Sequence, residues 1–317
     1  MGGGGLRGGV VRAAEAPATA GGHSGGTVRA TVVRAEDAPG PTLVLRLDQL
    51  PVGALALGGE LARLRHALSG TAYADLDKIA LYGPAARPGH TLDYRFVQAL
   101  PGGVFDFRAG CGHSLLACVV ADGRPGPVTV RAVTTGDTVL CEAEEDAYTL
   151  SFLKAPTAPG TLPTGRPVDV LDGVPVSLVR YGNPYVFVDA RHLPGSESEE
   201  ALQERLLALR AEAARLLGHP PHSALPKIAA FAAGPAGLSV RALTVGGWHP
   251  RLALTGAAAL AAAGALDGTV VPAAHGTVRT SGGTVTVSAA PDRVRVHHKR
   301  AEVLGRLELP WRIHATA

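Results

Sequence analysis

The run Arg108-Ala109-Gly110-Cys111-Gly112-His113-Ser114-Leu115-Leu116-Ala117 sets a thiol where an almost wholly apolar helix begins. The first amides of a helix have no partner within it, and the dipole adds positive potential there. Such a placement favours thiolate over thiol and suits a neighbouring anion. A second segment repeats the design: Gly247-Trp248-His249 leads into Thr255-Gly256-Ala257-Ala258-Ala259-Leu260-Ala261-Ala262-Ala263, small and apolar on every face. A helix with no polar face is buried. One such helix in each half, opening on a Gly-containing turn, predicts two similar domains whose helix N-termini point at a common cleft.

Other reactive side chains offer less. Cys111 and Cys118 share a helical face, but His113 projects about 200° away from Cys111, so the three cannot hold one metal ion. His297-His298 sits in a strand-like segment, where alternation sends the rings to opposite faces and a surface role is expected. The three cysteines are odd in number and all lie in the first half, which implies reduced thiols and a cytoplasmic protein.

Composition removes several function classes. The 317 residues are enough for two domains with their own cores, and 46% are hydrophobic. The net charge of +3 is spread along the chain without a basic block, and aromatic residues are few, so no nucleic acid is expected. No stretch approaches the length of a membrane span, and residues 1–26 lack the apolar centre of a signal peptide, so no membrane partner is expected. Only four of the 30 basic residues are lysines (Lys78, Lys154, Lys227, Lys299), a bias that reads as a GC-rich genome.

The elements that must position these residues follow from periodicity. Residues 1–26 are Gly-rich and read as a flexible tail. Strands are predicted at 27–33 and 42–47 as a hairpin, then at 78–82, 92–98, 128–133 and 147–152, with a short helix over 60–68. The Pro- and Gly-bearing segment 154–160 marks a boundary. Strands follow at 176–179 and 186–188. A long helix is capped by Ser196 with Glu199 three residues on and ends at Gly218. A strand pair lies within 276–287 and a last strand at 304–310. The expected domains are 27–152 and 153–302, with a C-terminal strand near 303–317 able to join the first.

In this order Asp77-Lys78-Ile79-Ala80, Asp93-Tyr94-Arg95-Phe96-Val97-Gln98, Ala109-Gly110-Cys111-Gly112, Leu162-Pro163-Thr164-Gly165 and Asn183-Pro184 resemble the methylaconitate isomerase (PrpF) family, over about residues 27–317. The resemblance implies an α+β, diaminopimelate-epimerase-like fold: two related domains, each a rolled β-sheet around a central apolar helix. It sets Lys78 and Cys111 on the family's acid/base pair. Gly112, His113, Ser114 and Asn183 become substrate-binding candidates, and His249 with Thr255 and Gly256 falls on the second-domain side of the cleft. No cofactor is implied. The partner is a small-molecule unsaturated carboxylate or a cyclic imino acid, and a homodimer stays open.

Three departures refine that expectation. Where the family opens with Arg-Gly-Gly-Thr-Ser-Lys-Gly, this chain has Arg34-Ala35-Glu36-Asp37-Ala38-Pro39-Gly40, and Glu36 and Asp37 would repel a substrate anion if they faced it. His113 replaces an asparagine, and the second half has no cysteine, which disfavours a two-thiol epimerase. The expected reaction is a 1,3-proton shift that moves a C=C bond, with either Lys78 or Cys111 as base. The resemblance extends to the actinobacterial natural-product branch, whose substrates are pyrroline- or dehydroproline-type precursors of 4-alkylproline antibiotics. The alternatives are a methylaconitate- or oxalomesaconate-type isomerase or tautomerase, and a catalytically silent binding protein on the same fold.

Overall fold

A computed structural model of the chain describes residues 10–12, 25–49, 54–193, 198–220, 223–244 and 247–312. The described residues form nineteen strands in one hydrogen-bonded sheet and four α-helices: α1 (Ala54–Leu68), α2 (Gly112–Asp122), α3 (Glu199–Leu216) and α4 (Leu254–Gly264).

One order of elements is used twice. In the first half Gly25–Ala35 and Thr42–Arg46 form an antiparallel pair. The chain then crosses through α1, and Lys78–Pro84 lies parallel to Thr42–Arg46 and antiparallel to Leu92–Ala99. After α2, Val128–Ala132 lies parallel to Leu92–Ala99 and leads into the meander Thr138–Glu144 and Ala147–Phe152. The second half matches: Val174–Tyr181 and Asn183–Asp189 pair, and α3 crosses to Lys227–Gly234, parallel to Asn183–Asp189 and paired with Gly237–Thr244. After α4 come Gly276–Thr280, parallel to Gly237–Thr244, and the meander Gly283–Ala290 and Arg293–Lys299. Two pairings between distant segments tie the sheet together, Ala147–Phe152 with Arg293–Lys299 and Gly25–Ala35 with Ala301–Arg312.

Burial follows the patterning. In α2 every residue from Gly112 to Val119 is buried, as is every residue from Leu254 to Ala263 in α4. These two helices share one central core that draws on both halves, in place of the two separate cores expected. With no polar face on either, a common interior is the arrangement that exposes neither. Smaller clusters lie under α1 and on the α3 side of the second-half strands.

The structure departs from the sequence reading in particular places. Within the expected tail, Val10–Arg12 forms a strand parallel to residues 306–308, on an otherwise open edge of the last strand. Helix α1 begins at Ala54, before the expected start at 60. Ser196 lies outside the described residues, and the cap of α3 is Ser198, whose side chain accepts from the Ala201 amide at 3.1 Å. Strands at Thr138–Glu144, Lys227–Gly234 and Gly237–Thr244 were not foreseen. His298 takes φ 53° in a bulge, so the His297 and His298 rings sit 5.9 Å apart instead of on opposite faces. Among the described residues no helix is long and apolar enough to cross a membrane.

Candidate active site

Cys111 is the N-cap of α2, in extended conformation, with its side chain making no capping bond. It is partly buried, and its carbonyl accepts from the Tyr94 hydroxyl at 2.8 Å and from the Leu115 amide at 2.9 Å. Cys118 and Cys141 are fully buried, and burial pushes both thiols well up. Of the three, Cys111 alone is placed to meet a ligand.

The N-termini of α2 and α4 meet directly. A side chain at Gly112 would stand 2.6 Å from Cδ2 of Leu254, so glycine is what lets the helix starts touch. Asn183, at the start of its strand, holds the loop before Cys111: its Oδ1 accepts from the Gly110 amide and its Nδ2 donates to the Gly110 carbonyl, both at 2.7 Å. The same Nδ2 lies 3.5 Å from Thr255 Oγ1 in α4. Asn183 therefore orients the thiol loop from the second half, a positioning role where sequence had offered substrate contact.

Lys78 is buried at the head of its strand, and its Nζ donates to the Gly40 carbonyl at 3.3 Å; it has no carboxylate partner among the described residues. Its register partner Thr42 hydrogen-bonds Ser114 in the first turn of α2 at 3.0 Å, which brings Lys78 level with that turn. Ser114 is thus spent on a strand. Gly256 faces the Tyr185 ring, 2.7 Å from where a Cβ would stand, so close packing there requires a glycine.

His113 and His249 stack with ring centroids 5.9 Å apart and 21° between planes. Both are held neutral. Burial, then His249, Lys299 and Lys78, push His113 well down, while burial with Lys78 and Lys227 pushes His249 down to about 4. His249 Nδ1 accepts from the Arg251 amide at 3.2 Å, which assigns its proton to Nε2. His113 Nε2 is buried with no partner among the described residues. A recess beside Cys111 is lined by Gly110, Gly112, Gly182, Thr255 and Asp137, the last with Oδ2 buried and unpartnered.

The acidic pair does not act as free charge toward a ligand. Asp37 is 5% exposed and accepts from Lys299 Nζ and from Arg251 at 2.5 Å, while Glu36 lies 3.7 Å from both Arg251 and Arg300. Burying a carboxylate requires such partners, and here they come from the loop before α4 and from the strand Arg293–Lys299. No group of three or more His, Cys, Asp or Glu among the described residues could hold a metal ion.

Lys227 escaped the sequence reading. It begins Lys227–Gly234 as Lys78 begins Lys78–Pro84, and the tripeptide Lys78-Ile79-Ala80 recurs as Lys227-Ile228-Ala229, a signal that an internal-repeat search would have caught. Asp106 was missed too. It is buried and its carboxylate accepts from the amides of Arg108 at 2.8 Å and of Ala224 in the other half at 3.3 Å.

A family profile described as PrpF protein matches residues 126–306, more than half of the chain. YbhH of Escherichia coli K12, a provisionally assigned isomerase, is 27% identical over 237 residues, covering 61% of this chain and 68% of YbhH. Among solved structures, a methylitaconate-delta-isomerase superposes with TM-score 0.65 at 19% identity, covering 92% of this chain and 98% of its own. A hydroxyproline epimerase from Agrobacterium vitis with bound trans-4-hydroxy-L-proline gives 0.60 at 15% identity, covering 90% and 92%. The epimerase-like α+β fold is thereby established, and with the profile match it makes the chain a member of the PrpF family and an isomerase.

Proposed function

We propose that this isomerase moves a carbon–carbon double bond in a small unsaturated carboxylate by a 1,3-proton shift, with Cys111 and Lys78 as its acid/base pair. The reading is carried by one observation: a ligand-accessible thiol and a buried ammonium without a carboxylate partner are both set at the junction of two helix N-termini. Removing an allylic proton leaves an anion spread over three carbons and the adjoining carboxylate. The Lys78 charge and the first-turn amides of α2 and α4 oppose that negative charge. Return of the proton at the far carbon completes the shift with no electron gained or lost, so the reaction requires no redox cofactor. Three free cysteines suit the reducing cytoplasm.

A second reading concerns the substrate. The unpartnered Asp137 oxygen beside Cys111 offers a counter-charge to a ring nitrogen, which favours a cyclic imino acid of the pyrroline or dehydroproline type made in a natural-product pathway. Glu36 and Asp37 no longer argue for it, because Arg251, Lys299 and Arg300 already neutralise them.

NMR in deuterated water tests both readings on a panel of unsaturated dicarboxylates and cyclic imino acids. The parent enzyme should place deuterium at both ends of the allylic system of one panel member. Cys111→Ser and Lys78→Met should each slow this by on the order of 10²-fold. Undiminished exchange in Cys111→Ser refutes the assigned pair, and turnover of dicarboxylates alone removes the imino-acid reading.

A further inference from the structure

We propose that Lys227 is a second cationic arm of the active site, entering from the second half of the chain opposite Lys78 and binding a carboxylate of the substrate. The inference rests on the reading of the Cys111 junction as the active site, and it assigns there a residue to which the acid/base pair gives no role.

Alternation along the strands places Lys227. In Lys227–Gly234, Ile228 and Ala230 belong to the outer cluster with α3, whereas Ala229 and Phe231 belong to the central core with α4. Side chains alternate faces along a strand, so Lys227 shares the face of Ala229 and Phe231. Its register partner is Tyr185, whose ring and hydroxyl lie against Gly256 in the first turn of α4. Lys227 is thus level with the first turn of α4. Lys78 obeys the same rule: Ile79 and Leu81 belong to the cluster under α1, Ala80 and Tyr82 to the central core, and its partner Thr42 bonds the first turn of α2. The repeated topology sets the two lysines in equivalent places on either side of the meeting helix starts.

The charges around Lys227 leave a place for an anion. It is partly buried, and it has neither ion pair nor hydrogen bond among the described residues. Desolvation, then Arg210 and Lys78, push it down to about 8 against the opposing pull of Cys111 and Asp106, and the neutral His249 lies on the same side. Nearby acids are committed elsewhere, Asp106 to two backbone amides and Asp37 to Lys299 and Arg251. Two ammonium groups facing one junction without a counter-charge are unfavourable until an anion joins them. A substrate carboxylate supplies it.

Binding such an anion must restore the proton to Lys227, which gives a readout independent of turnover. The probes are tricarballylate, which has no double bond to move, and pyrrole-2-carboxylate, a planar monocarboxylate. Each is titrated calorimetrically into the full-length protein near pH 8.5, in two buffers of different ionisation enthalpy. The parent should bind at least one probe and take up most of a proton with it. Lys227→Gln should bind that probe roughly tenfold or more weakly and take up none. Lys227→Arg should stay within about threefold of the parent yet also take up none, because guanidinium is already charged. Retained affinity or retained proton uptake in Lys227→Gln overturns the proposal, as does failure of the parent to bind either probe. Cys111→Ser should keep binding and proton uptake, so loss of the acid/base reading through the deuterium assay is separable from loss of this one.

Discussion

Truncating Asn183 to Ala should separate two roles that its geometry combines. The buried side chain is the sole hydrogen-bond partner described for the Gly110 amide and carbonyl, at 2.7 Å each. Removing it orphans both groups, at about 1–3 kcal/mol apiece for full burial. Because Gly110 is only partly buried, water can recover some of that, and a net loss of about 2–4 kcal/mol is expected. In a chain of 317 residues that corresponds to a melting temperature lower by roughly 3–6 °C. The loop carrying Cys111 loses its anchor to the second half, and an ångström of drift there should slow proton transfer by on the order of 10²-fold. Asn183→Asp sharpens the test. It keeps an acceptor for the Gly110 amide but turns a carboxylate oxygen on the Gly110 carbonyl, a contact that only the protonated acid makes favourable. Its pKa in the fold should therefore rise, and its stability deficit should shrink as pH falls. The assays are calorimetric melting across pH and deuterium exchange at saturating substrate. A melting temperature for Asn183→Ala within a degree of the parent would refute the argument that this side chain ties the two halves together.

Further expectations follow from burial and charge. Iodoacetamide should label Cys111 and spare Cys118 and Cys141, both fully buried with thiols pushed up, as peptide mapping will report. His249 is held near 4 against about 6.5 when unfolded, so the unfolded chain binds more protons between those values. Stability should be fully present above pH 6.5 and fall by about 3 kcal/mol as pH drops toward 4, and His249→Gln should flatten that part of the melting curve. Asp37→Asn leaves buried Lys299 without its carboxylate and should cost about 3–5 kcal/mol, whereas the double variant with Lys299→Met should regain much of it; denaturant titration of the three proteins decides.

What was legible in the sequence was whatever local chemistry dictates. The helices after Cys111 and after His249 announce themselves because a run without polar residues can only be buried, and most strands show their alternation. The strand Thr138–Glu144 was harder: its run Thr138-Val139-Leu140-Cys141-Glu142-Ala143-Glu144 alternates weakly, and pairing on both sides supplies what periodicity lacks. The strand Lys227–Gly234 is nearly all small residues and carries no period to read, yet it delivers Lys227. Site roles were legible only as far as residue type. Ser114, Asn183 and Gly256 are where the resemblance set them, but a hydroxyl bonded to Thr42, an amide bonded to Gly110 and a glycine under Tyr185 are facts of three-dimensional packing between segments 70 or more residues apart.

The acidic pair shows how a charge read along the chain can change meaning in space. Glu36 and Asp37 suggested repulsion of an anionic ligand if they faced it. Folding brings Arg251 and Lys299 onto Asp37 and Arg300 beside Glu36, so the acids become the fixed end of a clamp. Arg251 links the clamp to the histidine pair: its guanidinium is held by Asp37 while its backbone amide donates to His249 Nδ1, which fixes both the tautomer and the orientation of the ring stacked on His113. The loop thereby reaches a neutral imidazole of the opposite half through Arg251. On the proposed reading the cationic demand of a substrate falls on basic groups without a carboxylate partner among the described residues, Lys78 among them. If that reading holds, electrostatic selection is set by which basic residues the fold leaves without a carboxylate, and the number of acids in the neighbouring loop says little about it.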